Sequence, residues 1–196
     1  MFSTELANKI ETVEAGGRIP AGINEDVVIS EVKVETSKNG NVYIAFTFEK
    51  DGATASQTEW EPRKWPDMDD AKFQEVCTKQ VKHTLQILEC YYPKEALAFS
   101  GETFKEFANW VKALMDKADL SKKLRVKFVY KDNGYIELPK YCMYTFIEPM
   151  TVSKEESKIA ELSIDQFTKP IVADKEEPVV NPLTVTTDVK VDDLPF

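Results

Sequence analysis

The sequence predicts a mainly β protein with some helix: five short antiparallel strands forming a barrel, with two helices inserted between the third and fourth. Three observations predict it. Residues 27–60 and 123–148 alternate apolar and polar side chains with a period of two. The stretch between them repeats its apolar residues at helical spacing instead. Asn-Gly or Asp-Gly pairs (Asn39-Gly40, Asp51-Gly52, Asn133-Gly134) separate the alternating runs, and such pairs accept the positive φ of a tight hairpin. Strands that are half apolar need a closed or covered sheet, so the alternative is an α+β sheet with helices packed on one side.

Taken in order, residues 1–17 suggest a short helix with Leu6, Ile10 and Val13 on one face, ended by Gly16-Gly17. In residues 27–35 Val28, Val32 and Val34 alternate with Ile29, Glu31, Lys33 and Glu35. Val42, Ile44, Phe46 and Phe48 form the apolar face of the second strand, and the third, Ala53 to Trp60, is more polar. Together they make a meander whose other face carries Lys33, Tyr43 and Thr47.

Two prolines keep residues 61–68 out of regular structure. A long helix is expected over 69–91 on the stripe Phe73, Val76, Cys77, Val81, Thr84, Leu85 and Leu88, with Asp67 as N-cap. A second is expected over about 102–118, capped by Ser100 or Gly101, with Phe104, Phe107, Ala108, Val111, Leu114 and Met115 buried. Leu124, Val126, Phe128 and Tyr130 then form one face of a fourth strand, and Tyr135 to Ile147 is its partner, broken at Pro139. The organisation is therefore a body over 1–150, a short helix in 151–169, and an acidic tail over 170–196, whose residues 170–191 are linker-like with three prolines and no glycine.

With 42% apolar and 30% charged residues, the chain has the composition of an ordinary globular protein. It holds no run of membrane-spanning length, and its first residues lack a signal-peptide pattern. Cys77, Cys90 and Cys142 lack metal-type spacing and read as reduced thiols, so a cytoplasmic setting is expected. The net charge is −9, of which residues 151–196 carry −5 and residues 1–150 carry −4. That balance argues against a simple basic nucleic-acid-binding domain, and allows one only through a local basic groove or through stacking.

Enzymatic chemistry has little to stand on. There is no Walker phosphate loop, dinucleotide fingerprint or zinc spacing. The single histidine, His83, reads as a surface helix residue. No catalytic residues, metal ligands or cofactor are expected.

The chain ends in Asp192-Asp193-Leu194-Pro195-Phe196: two carboxylates, an apolar pair, and an aromatic ring beside the terminal carboxylate. Pro195 favours an extended backbone, and such a tip can place its ring in a partner's pocket while basic residues hold its carboxylates. This tip resembles that of bacterial and phage single-stranded-DNA-binding proteins, where it recruits replication and repair enzymes. The order of three strands, a helical segment and two strands is that of the OB-fold, a five-stranded partly open barrel. The two-helix insertion departs from the small bacterial proteins and is similar to the more elaborated phage versions. The stretch Gln57-Thr58-Glu59-Trp60-Glu61-Pro62 after the Asn-Gly hairpin also looks like a phage protein of this type.

The resemblance implies a protein that coats single-stranded DNA without strong sequence preference, in a bacterial or phage-infected cell. Bases would stack on some of Tyr43, Trp60, Trp65, Tyr135, Tyr141 and Tyr144, and Arg63, Lys64, Arg125, Lys127, Lys131 and Lys33 would neutralise phosphates. The bland role for a tryptophan here is to close one end of the core. The alternative function is an acidic adaptor or inhibitor whose OB-like body binds protein and no nucleic acid.

Overall fold

A computed structural model describes residues 17–170. Among them are six strands: β1 (Gly22–Thr36), β2 (Val42–Lys50), β3 (Ala53–Trp60), β4 (Leu124–Tyr130), β5 (Ile136–Glu137) and β6 (Ile147–Pro149). There are two α-helices, α1 (Asp70–Leu88) and α2 (Phe104–Met115), with a single 3-10 turn at Lys94–Ala96 between them. The fold is mainly β: an open antiparallel sheet in the order β3-β2-β1-β4-β5, with β6 also paired to β4.

The 15-residue β1 holds the sheet together. Its C-terminal part, Val28 to Thr36, pairs with β2, and its N-terminal part, Gly22 to Val27, pairs with β4. One strand can serve two neighbours at staggered positions because it is irregular twice. Register shifts fall between Asn24 and Val27 and between Ile29 and Glu31, and Asp26 takes a φ of 59° inside the first. The two hairpins of the meander form as the sequence predicts, with positive φ at Gly40 and at Asp51-Gly52.

Alternation settles which face is core. Ile44, Phe46 and Phe48 of β2 are fully buried, together with Ile29 of β1 and Val126 and Phe128 of β4. Helix α2 packs Phe107, Ala108, Val111 and Met115 against β1 and β2. The α1 helix buries only its second half, at His83, Thr84, Ile87 and Leu88.

The sheet edges β3 and β5 approach each other without a shared ladder. The Leu138 N–H donates to the Gln57 side-chain oxygen at 3.0 Å. The barrel expected from the sequence is thus an open sheet whose end strands are joined by a side chain.

Several expectations are corrected. Residues 151–169 contain no helix; they run as turns across β4, with Ile159 buried. The break expected at Pro139 in the partner strand of β4 is present, and it leaves only two short pieces, β5 and β6. Helix α1 is capped by Asp69, whose carboxylate accepts from the Lys72 N–H at 2.6 Å, because Trp65 to Met68 form a turn that holds Asp67 outside the helix. Helix α2 is capped by Thr103 in a capping box with Glu106. The expected N-terminal helix lies outside the described residues. No described helix is long and apolar enough to cross a membrane.

Candidate nucleic-acid interface

Register orders the outer face of the meander into cross-strand rows, three of them leading to Trp60 and a fourth, Val28, Glu49 and Thr54, at the other end. Of the three, Glu31, Thr47 and Ser56 form one, Lys33, Ala45 and Thr58 the next, and Glu35, Tyr43 and Trp60 the third. Their neighbours in sequence point inward, so every member of these rows faces outward. On β2 and β3 the rows between Glu49 and the platform are small and uncharged, and they end in two aromatics. Tyr43 and Trp60 are directly paired across strands, with ring centroids 4.5 Å apart, and Trp60 is 49% exposed. An aromatic left half in water at a strand end is costly unless something covers it.

Past Trp60, the chain turns through residues 61–68 and lays Arg63, Trp65 and Met68 around a shallow cleft that also touches Trp60, Asn41 and Val76. Trp65 is 62% exposed. Tyr43, Trp60, Arg63 and Trp65 are therefore brought together.

The cations are another matter. Lys33 pairs with Glu31 at 2.8 Å, and that carboxylate raises the lysine's pKa. Lys64 pairs with Asp70, whose carboxyl it lowers, and Lys131 pairs with Glu137 at 2.7 Å. The Tyr43 hydroxyl donates to Glu35, which raises the phenol's pKa. Of the six expected phosphate ligands, Arg63 alone has no carboxylate partner among the described residues.

Arg125 and Lys127 are corrected outright. As phosphate ligands they would have to be exposed, yet both are buried. Carboxylates meet them from three places: Glu25 of β1, Glu148 of β6, and Asp165 of the segment that follows β6 and crosses their face of β4. Arg125 pairs with Glu148 and with Glu25 at 3.2 Å. Lys127 pairs with Asp165 at 2.7 Å, donates to the Ala160 carbonyl, and has its Nζ 5.1 Å from the centre of the Tyr141 ring. The Tyr141 hydroxyl donates to the same Asp165 at 3.0 Å, so that ring serves the clamp and is only half exposed. Burial and the Asp165 carboxylate push the Tyr141 phenol up. Tyr144 is exposed and meets Tyr141 edge-on at 5.5 Å, away from the meander.

Tyr135 is 56% exposed and carries a cation that the sequence reading missed. The Arg18 guanidinium lies 5.3 Å from its ring centre, placed there by a bridge between Arg18 and Thr54 at the far end of β3 from Trp60. No local pattern could have found Arg18, because a contact across 36 residues puts it there.

Behind the platform, β3 turns two polar side chains inward. Glu59 accepts from Gln57 at 2.8 Å and faces Nδ1 of His83 at 3.0 Å. His83 is buried, not a surface residue, and its Nε2 lies 2.8 Å from the Pro139 carbonyl, an acceptor only, so Nε2 carries hydrogen. Burial alone would raise the Glu59 carboxyl, but His83, Gln57 and Gln80 together hold it below the ordinary carboxylate range. Gln80 also donates to the Trp60 carbonyl at 2.6 Å. The backbone that carries Trp60 is thereby fixed to α1.

The tip Asp192-Asp193-Leu194-Pro195-Phe196 lies outside the described residues. Comparison with family models, with curated proteins and with solved structures gave no match.

Proposed function

We propose that this protein binds single-stranded DNA without strong sequence preference, by stacking bases on the Tyr43–Trp60 platform. The observation that carries the reading is that platform: two aromatics in contact, half exposed, at the head of an uncharged strip on β2 and β3, with Arg63 and Trp65 beside it. Stacking is worth about 1–3 kcal/mol per base and needs no basic body, so it suits a chain of net charge −9. The strand order β3-β2-β1-β4-β5, with Gln57 of β3 joined to Leu138 just after β5, supports an OB-type barrel, a fold that binds oligonucleotides on the face of its second and third strands.

In this reading the acidic tip recruits replication or repair enzymes through Phe196, and competes with DNA for the body's cations. Removing residues 188–196 is expected to tighten DNA binding and to end recruitment; if truncation changes neither, the tip has no such role. Titration of labelled oligo-dT at low and moderate salt tests the reading itself, with saturable, salt-weakened binding expected.

One observation favours a second reading. Most of the expected phosphate ligands are already held by carboxylates of the same chain. An acidic adaptor or inhibitor that binds protein would show this too. It would bind no oligonucleotide at any salt concentration and would keep a stable protein partner.

A further inference from the structure

We propose that Glu31 and Glu35 act as a fence on the β1 side of the platform, and that they make the surface selective for one strand of DNA over two. The inference rests on the stacking reading above and deepens it. The two carboxylates stand on the same outward face of β1, on either side of Lys33, in register with Thr47 and Tyr43 of β2. Both residues are exposed, and each engages the polar group that a phosphate would seek: Glu31 the Lys33 ammonium, Glu35 the Tyr43 hydroxyl.

The spacing of a sheet decides what the fence meets. Neighbouring strands lie about 4.8 Å apart, so the carboxylates stand about 5 Å from β2 and about 10 Å from β3. A single strand stacked on Trp60 and Tyr43 lies over β2 and β3, where the two rows next to the platform hold Ala45, Thr58, Thr47 and Ser56, and the first charge on these strands is Glu49 one row further on. A duplex seated on the same strip carries a second phosphate backbone across a groove about 6 Å or about 12 Å wide. Towards β1, that backbone falls on or just past the two carboxylates. Like charges set against the wrong partner are how a binding face rejects it. The same carboxylates leave the right partner nearly untouched, since it need not cross β1.

The test compares three proteins: wild type, Glu31→Gln/Glu35→Gln, and a charge-matched control, Glu95→Gln/Glu155→Gln, altered at exposed positions away from the meander. Dissociation constants are measured for oligo-dT and for a hairpin duplex of equal length at low salt. The fence variant should bind duplex at least tenfold tighter than wild type and oligo-dT no more than about threefold tighter, while the control keeps the wild-type ratio. An unchanged duplex-to-single-strand ratio in the fence variant, or the same change in the control, would overturn the fence and leave the stacking reading standing. Binding of neither nucleic acid by any of the three would overturn both.

Discussion

The Lys127 ammonium lies 2.7 Å from the Asp165 carboxylate, with both side chains closed off from solvent. The pair ties β4 to a segment 38 residues further along, and Tyr141 closes it from the side. Its environment makes it a structural clamp. A charge with no exposed surface cannot meet a phosphate without the segment over it being pulled away, and the attraction gained at a surface does not offset stripping a buried pair.

Removing one partner should therefore cost stability and spare binding. Lys127→Met leaves the Asp165 carboxylate buried without its counterion, and a loss of about 3–5 kcal/mol in chemical denaturation is expected. Lys127→Met/Asp165→Leu should recover a large part of it. Oligo-dT affinity of the folded fraction should stay within about twofold of wild type, whereas a phosphate ligand would lose more.

The pH dependence of stability follows from Asp165 and Glu59. For each, burial alone would raise the carboxyl, but the surrounding donors prevail and hold it below the ordinary range: Lys127, the Leu162 N–H and Tyr141 for Asp165, and His83 with two amides for Glu59. A carboxyl depressed in the folded state adds stability that is complete above its unfolded pKa and is lost as pH falls through the folded one. Stability should thus fall on acidification below the ordinary carboxylate range. Asp165→Asn should lower stability at neutral pH and flatten that acid slope, as followed by denaturation at a series of pH values.

Thiol chemistry checks the packing independently. Burial pushes the Cys90 thiol up to about 12, whereas Cys77 and Cys142 are only half-buried. In the native protein Cys77 and Cys142 should react with a thiol reagent, and Cys90 only after unfolding. Fast labelling of Cys90 in native protein would contradict the packing of α1 against the 142–149 segment.

Arg63 should report through salt. Arg63→Ala is expected to weaken oligo-dT binding several-fold and to reduce the log–log salt slope by about 0.7, one phosphate's share on a single strand. Lys33→Ala should change the slope less, because Glu31 already neutralises that ammonium.

What the sequence makes legible here is what neighbours in the chain decide. The meander was readable because Val42, Ile44, Phe46 and Phe48 keep one phase and Asn39-Gly40 fixes the turn. The same phase already set Glu31, Lys33 and Glu35 on one face, a signal for the fence that the strand pattern alone contained. The hairpin around β4 failed for the opposite reason. Its alternation correctly separates Val126 and Phe128 from Arg125 and Lys127, but "not core" became "outside" only by assumption. Asp165 and Glu148, far along the chain, turned that face into a second interior.

His83 misled by its chemistry. With Val76, Gln80 and Ile87 it keeps helical spacing, so its position was readable as inward, and its polarity argued otherwise until Glu59 and Pro139 supplied its partners. The cap of α2 was readable too, as Thr103 followed three residues later by Glu106.

The most direct test of the account is tryptophan fluorescence during oligo-dT titration, in wild type and in Trp60→Ala. Trp110 packs on Phe99 and Phe107, so a signal from stacking must come from Trp60 and Trp65. Saturable quenching in wild type is predicted, with affinity reduced by about 1–3 kcal/mol in Trp60→Ala at nearly unchanged stability. Binding that is equally tight in Trp60→Ala, or an unquenched wild type that binds no oligonucleotide at low salt, would contradict it.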